Sequence, residues 1–386
     1  MDRIYLDYAA TTPVDQRVID EMIPYFRDIY GNPSSIHFFG QKAEGAVENA
    51  RERIKNLLNC HKYDIIFTSG GTESDNLALR GVALNERKKR NANKILISSV
   101  EHDAISTTAN QLKIYDGFEI IELRVDNYGL IDQSFFESQL NEQTAIVSII
   151  YGNNEIGTIN PIEHFVKECN KKGIPFHTDA VQALPHIKVN MESSGIDLLS
   201  FGAHKFYGPK GVGALIKKKG LNLIPQNTGG KQEEGYRAGT HNVPYILGMT
   251  KALEILTEEK DLESRRQKIL RDQLINFVIN NIRGAYLTGD PVSRLPNHAS
   301  FVFDGIKGNE LLISLDIDGF AVSAGSACKV GLAAPSKVLL KIGIDEKLAM
   351  GSLRVTLGKN TLEGDIDKFE RSLRKIIDQL RRTTDG

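Results

Sequence analysis

Apolar runs of strand length alternate with helical patterns along most of this 386-residue chain, from about Asp15 to about Lys260. An amphipathic helix is predicted over residues 43–58, where small and branched apolar residues recur at helical spacing. Buried strands are predicted at residues 65–68 and 94–98, on either side of a further helix. Because neighbouring parallel strands need a long crossover connection, this alternation favours an α/β fold with a mixed, mostly parallel sheet covered by helices.

The pattern changes in the last third of the chain. A mostly helical stretch at residues 254–282 is followed by short predicted strands that interleave with helices, which indicates a smaller α+β domain. These strands are predicted at residues 299–303, 321–323 and 353–356. We therefore predict a large domain over residues 16–255 and a small domain made of residues 1–15 and 256–386.

Charge and cysteine content argue against several classes of protein. There are 48 lysines and arginines against 49 aspartates and glutamates, so a net charge of -1 supplies no global field to attract nucleic acid or an anionic membrane. No apolar run approaches a membrane span in length, and the N-terminus lacks a signal-peptide pattern. Cys60, Cys169 and Cys328 are odd in number and far apart, so neither a disulfide framework nor a metal site is expected. We expect a soluble protein of the reducing cytoplasm.

Two of the predicted strands end in residues of opposite charge. Lys205 follows the apolar run 197–201 and precedes a glycine-rich turn, and Asp179 ends the run 173–179. Partial burial disfavours a lysine ammonium and frees the amine to act as a Schiff-base nucleophile. A strand-end carboxylate is the second group that pyridoxal 5'-phosphate (PLP) requires, because it keeps the pyridine nitrogen protonated. The pair therefore predicts a PLP site.

A glycine-rich turn at residues 70–75, between a predicted strand and a predicted helix, is a candidate phosphate site. Free backbone amides at a helix N-terminus, together with the hydroxyl of Thr72, suit a phosphate group. The alternative is an ordinary helix start with a capping box that begins at Thr72. Given Asp179 and Lys205 further along the chain, we favour the cofactor phosphate, with Gly71 and Thr72 among its ligands.

An arginine in the last predicted strand is a candidate for substrate binding. Arg354 interrupts a strand-like alternation at residues 351–356, and a guanidinium there suits bidentate capture of an amino-acid carboxylate. The alternative is a solvent-facing arginine on a half-exposed strand. Asn154, which follows the apolar strand predicted at residues 145–150, is a candidate for the same site.

The cysteine that would decide the reaction is Cys328. It lies in residues 324–336, which are rich in glycine and small residues and are predicted to form a loop able to move. Lys329 beside it would favour the thiolate. Cys60 and Cys169 fall in helical patterns and are predicted to be structural.

Motifs spaced along nearly the whole chain resemble those of the PLP-dependent cysteine desulfurases. In chain order they occupy residues 5–13, 31–35, 70–74, 153–155, 179–182, 203–205 and 323–328. The last of these has the Ser-x-Gly-Ser-Ala-Cys form that resembles the first class of these enzymes. The resemblance implies the aspartate-aminotransferase fold, PLP fold type I, and a homodimer with active sites near the subunit interface.

The same resemblance implies a role for each candidate residue. His102 would stack on the pyridine ring and help to move protons, as an imidazole that titrates near neutrality can. Gln182 would donate to the phenolic oxygen of the cofactor, His204 would bind its phosphate, and Thr240 would reach that phosphate from a second subunit. The cofactor-binding residues are then Gly71, Thr72, His102, Asn154, Asp179, Gln182, Gly202, His204, Lys205 and Thr240. For the polar members, the alternative is an ordinary side chain near a loop or strand end.

The reaction implied by the resemblance is removal of sulfur from L-cysteine. Arg354 and Asn154, helped by Asn32, would hold the substrate carboxylate while Lys205 leaves the cofactor and removes the Cα proton. The Cys328 thiolate would then attack the substrate sulfur, leaving a persulfide while alanine departs. The persulfide sulfur would pass to an acceptor such as an iron–sulfur scaffold or a thiolation protein.

The chain departs from the family pattern at several positions, which include Ala334 and Lys337 where glutamate and histidine are usual. Gly202 stands where these enzymes commonly have a phosphate-binding serine, although its backbone amide could partly replace the hydroxyl. Glu234 stands where a cation is usual, and Lys329 follows the cysteine where threonine is usual. The departures leave the cofactor chemistry intact and bear on the motion of the loop and the choice of acceptor.

The sequence alone is also compatible with two other functions. One is a PLP enzyme of another type, such as an aminotransferase, a β-lyase or a selenocysteine lyase, in which Cys328 would be incidental. The other is a binding or regulatory subunit that retains the fold without catalysis, which would stay colourless when the cofactor is added.

Overall fold

The computed structural model describes residues 3–324 and 334–384, so the predictions for Cys328 and Lys329 lie outside the described residues. The strands of the described part are β1 (Ile4–Tyr5), β2 (Tyr63–Thr68), β3 (Lys94–Ser98), β4 (Glu119–Leu123), β5 (Thr144–Ser148), β6 (Phe176–Asp179), β7 (Leu198–Gly202), β8 (Gly213–Lys218), β9 (Ala285–Leu287), β10 (His298–Phe303), β11 (Phe320–Ala321) and β12 (Ser352–Thr356). The helices are α1 (Gln16–Met22), α2 (Pro24–Arg27), α3 (Phe38–Leu58), α4 (Gly71–Arg90), α5 (Asp103–Asp116), α6 (Gln133–Gln139), α7 (Ile162–Lys172), α8 (Met191–Ser194), α9 (Val243–Asn281), α10 (Gly308–Ile317), α11 (Lys337–Lys341), α12 (Glu346–Ala349) and α13 (Glu363–Thr384).

A seven-stranded sheet organises the first two thirds of the chain, with strand order β2-β8-β7-β6-β5-β3-β4. Strand β8 is antiparallel to both of its neighbours, β2 and β7, and the remaining pairs are parallel. The predicted mixed, mostly parallel sheet is therefore confirmed. Since β2, β3, β5, β6 and β7 run in one direction, the segments that follow them emerge along one edge, where ligands bind in open α/β sheets.

Local sequence pattern explains the helices that cover this sheet. The predicted amphipathic helix is part of α3, and its apolar stripe, Ala43, Val47, Ala50, Ile54 and Leu58, is buried. A stripe with helical spacing has to be buried against a neighbour, because the period of 3.6 residues places it along one side. The stripe joins a core that extends from Val18 to Leu256.

The last third of the chain forms a smaller layer. Strands β12, β10 and β9 form an antiparallel sheet, and β1 pairs in parallel with β11. Their core contains Leu6 together with residues from Leu270 to Ile377. The 39-residue helix α9 runs past both cores. The predicted boundary between residues 255 and 256 falls inside this helix and stays a prediction.

The two described cysteines are buried, but only one is helical. Cys169 lies in α7, whereas Cys60 lies just after α3, beyond the left-handed Asn59, so its predicted helical placement is wrong. Burial raises the pKa of Cys60 to about 12 and raises that of Cys169 as well. Both thiols are therefore neutral near pH 7 and poor nucleophiles.

Candidate active site

The predicted pair, Asp179 and Lys205, lies at the ends of adjacent strands. Asp179 is the last residue of β6, and Lys205 ends the short 3-10 turn that follows β7. The two strands are parallel and in register, with Asp179 opposite Ser200. Packing thus brings together two groups that are 26 positions apart in the sequence.

Lys205 is set against backbone of the N-terminal segment. Its Nζ donates to the carbonyl oxygens of Ala9 at 2.6 Å and Ala10 at 2.8 Å. Burial, and then the positive charge of Arg354, lower the pKa of Lys205 to about 8, against the opposing effect of the Asp179 and Asp7 charges. A lysine with this pKa has an appreciable neutral fraction near pH 7, as a nucleophilic amine needs.

Asp179 is buried and accepts a hydrogen bond from the backbone amide of Val181 at 2.8 Å. Burial raises its pKa, against the lowering effects of that hydrogen bond and of the His102 and Lys205 charges. A cationic partner would therefore gain from binding here, because it would supply the counter-charge that a buried carboxylate requires.

Two further carboxyl groups lie behind Asp179. Asp75 and Glu101 are both buried, and each has one carboxyl oxygen without a hydrogen-bond partner among the described residues. Burial, and then the Asp179 charge, raise the pKa of both groups well above the ordinary value. Burial and the charge of Asp179 therefore favour the neutral forms of Asp75 and Glu101.

The turn before α4 meets the end of β7 at close range. A Cβ atom added to Gly202 would lie 3.2 Å from the backbone nitrogen of Gly71, and one added to Gly213 would lie 2.7 Å from the carbonyl carbon of Gly70. His204 lies beside Gly202, because a Cβ atom added to Gly202 would be 3.7 Å from the ring carbon Cδ2 of His204. Helix α4 has 20 residues and starts here without a side-chain cap, which leaves backbone amides available to an anion.

The alternative to a phosphate site, a helix start with a capping box that begins at Thr72, is wrong. The helix starts after Gly70 instead, Asp75 turns into the core, and Glu73 accepts a hydrogen bond from the backbone amide of Ser69 at 2.7 Å. Thr72 is exposed at this corner. Its hydroxyl is therefore not committed to the interior of the protein.

The N-terminal segment forms a wall of the site that sequence reasoning missed. Gln182 Nε2 donates to the Ala9 carbonyl at 2.8 Å, the same oxygen that accepts from Lys205. The Thr11 hydroxyl lies 3.2 Å from His204 Nδ1. The sequence did point to this segment, because residues 5–13 resemble a family motif. The motif does not indicate which atoms of the segment contact the site.

His102 forms the N-cap of α5. Its Nδ1 accepts a hydrogen bond from the Ala104 amide at 3.1 Å, and the side chain is otherwise exposed. An accepting Nδ1 carries no proton, so in the neutral ring the hydrogen is on Nε2. The capping bond therefore selects one tautomer.

Arg354 is 6% exposed and lies on β12, so the alternative of a solvent-facing arginine is wrong. Its Nη1 donates to the Asn154 carbonyl and its Nη2 to Asp7 Oδ1, each at 2.9 Å. Asn154 and Arg354 are thus in contact, although 200 positions separate them in the sequence.

Two predicted site residues lie on exposed loops. Asn32 accepts a local hydrogen bond from the Ser34 amide at 3.0 Å. Thr240 is exposed beside Gly239, whose amide donates to Gln232 at 3.1 Å. Their contacts within one chain do not join them to Lys205.

In the described part of the chain, no helix is long and apolar enough to cross a membrane, and no cluster of three or more His, Cys, Asp or Glu side chains could hold a metal ion.

Comparison with known proteins gives consistent matches over nearly the whole chain. The model of the aminotransferase class-V family matches residues 4–369. The cysteine desulfurase IscS of Dictyoglomus turgidum is 46% identical over 378 residues, which are 98% of this chain and 95% of that protein. A solved NifS-like protein is 37% identical, with a TM-score of 0.90 over 97% of this chain and 99% of its own. The solved structure of SspA in complex with cysteine is 33% identical, with a TM-score of 0.80 over 93% of this chain and 99% of its own.

Proposed function

The chain belongs to the aminotransferase class-V family and, within it, to the cysteine desulfurases, and on that premise we propose that it removes sulfur from L-cysteine. The products are L-alanine and a persulfide on Cys328. The observation that carries the proposal is the meeting of Lys205 and Asp179 at adjacent strand ends, with the pKa of the lysine lowered to about 8. The family depends on PLP, which we take as the cofactor.

The described residues fit PLP. Asp179 would pair with the ring nitrogen, and the tight corner of Gly71 and Gly202, with Thr72 and His204, would hold the phosphate. His102 would lie against the ring and Gln182 would donate to its phenolic oxygen. When bound, the cofactor withdraws electrons from the bonds at Cα of an amino acid.

The side chains around that position would bind the substrate and move its protons. Arg354 and Asn154, with Asn32, would hold the carboxylate of L-cysteine. The neutral amine of Lys205 would take the Cα proton, because its lowered pKa makes it a base near neutral pH. The capping bond on His102 Nδ1 leaves Nε2 as the nitrogen that could exchange protons with the substrate.

The sulfur step is assigned to Cys328. Its thiolate would form a new S–S bond with the substrate sulfur while the Cβ–S bond breaks and its electron pair stays on carbon. That carbon would take a proton and become the methyl group of alanine. The persulfide sulfur would then pass to an acceptor protein of an iron–sulfur or thiolation pathway in the cytoplasm.

We also propose that two copies of the chain form the working enzyme. Exposed apolar side chains cluster in and around the loop that carries Asn32, with exposed fractions of 56% for Phe26, 64% for Tyr30, 92% for Ile36 and 62% for Phe38. A surface of this kind supports burial against a partner. A second copy could bring the exposed Thr240 to the phosphate site, and gel filtration with light scattering tests the dimer.

The persulfide itself provides the direct test of the activity. The PLP-loaded protein is incubated with L-cysteine, alanine is quantified, and the peptide that contains Cys328 is weighed by mass spectrometry. A mass gain of one sulfur atom on that peptide is expected, and Cys328→Ser should abolish both the gain and alanine formation. Undiminished alanine formation by Cys328→Ser would refute the persulfide mechanism and favour a reaction of the selenocysteine-lyase type, in which Cys328 is incidental.

A further inference from the structure

Arg354, the proposed carboxylate ligand, forms an ion pair with Asp7 of the N-terminal segment. The Nη2 atom of Arg354 lies 2.9 Å from Asp7 Oδ1, and the exposed side-chain fractions are only 7% for Arg354 and 18% for Asp7. The Nε atom of the arginine is buried and has no hydrogen-bond partner among the described residues. One part of the guanidinium is therefore anchored, and another part still lacks an acceptor.

Asp7 itself is held by backbone contacts on both sides. It forms a bridge to Thr356 on β12, the strand that carries Arg354. Its carbonyl accepts a hydrogen bond from the Tyr5 hydroxyl at 2.9 Å, and the same hydroxyl lies 3.1 Å from the Thr11 carbonyl. The carboxylate is thus presented from a fixed segment, which makes it suited to orient a long side chain.

We propose that Asp7 is a positioning residue that holds the Arg354 guanidinium with its remaining N–H groups turned toward the carboxylate of the amino-acid substrate. This inference rests on the proposed function, because it assumes that Arg354 binds that carboxylate.

The donor count of Arg354 supports the proposal. A guanidinium has five N–H donors in a rigid plane. The Asn154 carbonyl and Asp7 each accept one, which leaves Nε–H and one hydrogen on each terminal nitrogen. A buried donor without an acceptor is unfavourable, so a carboxylate that accepts from Nε would satisfy it. Asp7 and the substrate therefore need not compete for the same hydrogens.

The charge of Asp7 also acts on Lys205. Arg354 lowers the pKa of Lys205, whereas Asp7 and Asp179 raise it. Asp7 therefore offsets part of the effect that a nearby arginine has on the catalytic amine. Removing the negative charge of Asp7 should lower the pKa of Lys205, and this effect differs from any loss of packing.

Two substitutions separate orientation from charge. Asp7→Ala removes the anchor, so we expect the KM for L-cysteine and the Kd for L-alanine to rise about tenfold while kcat changes less than about threefold. Asp7→Asn keeps an acceptor oxygen and should recover most of the affinity. It should also shift the pH profile of PLP capture by the apoprotein toward lower pH, because Lys205 loses a stabilising negative charge.

A double-mutant cycle with Arg354→Ala shows whether Asp7 acts through the arginine. In that background Asp7→Ala should not weaken L-alanine binding further, whereas equal and additive losses would overturn the proposal. Unchanged or tighter L-alanine binding by Asp7→Ala alone would also overturn it. An equal loss in Asp7→Asn and Asp7→Ala, with a lowered unfolding midpoint in both, would show a merely structural role. Because L-alanine binding needs no turnover, these outcomes are distinct from a failure of the wild-type protein to form alanine.

Discussion

Serine at position 202 should strengthen cofactor binding. Gly202 has φ -135° and ψ 134°, an extended conformation that any residue adopts. An added Cβ would lie 3.2 Å from the Gly71 nitrogen and 3.7 Å from the His204 ring, so neighbours need to shift by only a few tenths of an ångström. A serine hydroxyl would then be at the corner proposed to bind the phosphate.

The size of the effect follows from the type of hydrogen bond. A hydrogen bond to a charged group contributes about 1.5–3 kcal/mol. The close contact of the new Cβ with Gly71 should offset about 0.5–1 kcal/mol of this contribution, since slight overpacking is mildly unfavourable. The net gain of about 0.5–2.5 kcal/mol corresponds to cofactor binding that is roughly 2- to 70-fold tighter.

The assay is calorimetric titration with pyridoxamine 5'-phosphate, which binds without forming a bond to Lys205. Gly202→Ala is the matched control, because it adds the same Cβ without the hydroxyl. We expect tighter binding for Gly202→Ser and equal or weaker binding for Gly202→Ala, relative to wild type. If the two variants bind equally, the hydroxyl does not reach the phosphate, and the proposed location of the phosphate is wrong.

Three further predictions concern the amine, the thiol and the fold. The rate at which apoprotein captures PLP should rise with pH through about 8 and then level off, because only neutral Lys205 reacts. Arg354→Ala removes a positive charge that lowers the pKa of Lys205, so the rise in rate should move to higher pH. Stopped-flow absorbance measures this rate, and an unchanged pH profile in Arg354→Ala would contradict the reasoning. Cys328→Ser should lose at least about a hundredfold in alanine formation while it still binds pyridoxamine 5'-phosphate, and calorimetry beside an alanine assay checks both. Gly213→Ala should destabilise the fold by about 1–3 kcal/mol, since its Cβ would meet backbone atoms. The matched control is Gly45→Ala, at an exposed helical position with open space around it, which should stabilise the protein by about 0.5–1 kcal/mol. Urea unfolding measures both changes, and a Gly45→Ala variant less stable than Gly213→Ala would refute the argument.

Local patterns predicted the elements well. Strands expected at residues 65–68 and 94–98 are confirmed as β2 and β3, and the helix expected at residues 43–58 is confirmed within α3. Periodicity reports which side of an element is apolar, and that property depends on near neighbours in the chain. The helix start at Gly70 was assigned less well, because the burial of Asp75 depends on strands far away in the sequence.

The roles of individual residues were predictable only as far as motif and chemistry allowed. Lys205 and Asp179 could be paired from their strand ends and residue types. Asp7 and Ala9 could not be assigned, because an ion pair and a shared carbonyl oxygen leave no local signature. The substitution of Gly202 was visible in the sequence, but whether a serine fits there is a question of distances.

By itself, the amino-acid sequence determined the succession of helices and strands, the strand ends at which charged residues stand, and the family of the protein. The tertiary structure decided which distant groups meet: Arg354 with Asp7, 347 positions away, and Lys205 with the Ala9 carbonyl, 196 positions away. It also decided the acidity of these groups, because the pKa of Lys205 falls through burial and a neighbouring charge. Secondary structure arises from interactions between near neighbours, whereas solvent exclusion and electrostatic pairing arise only when the whole chain has packed.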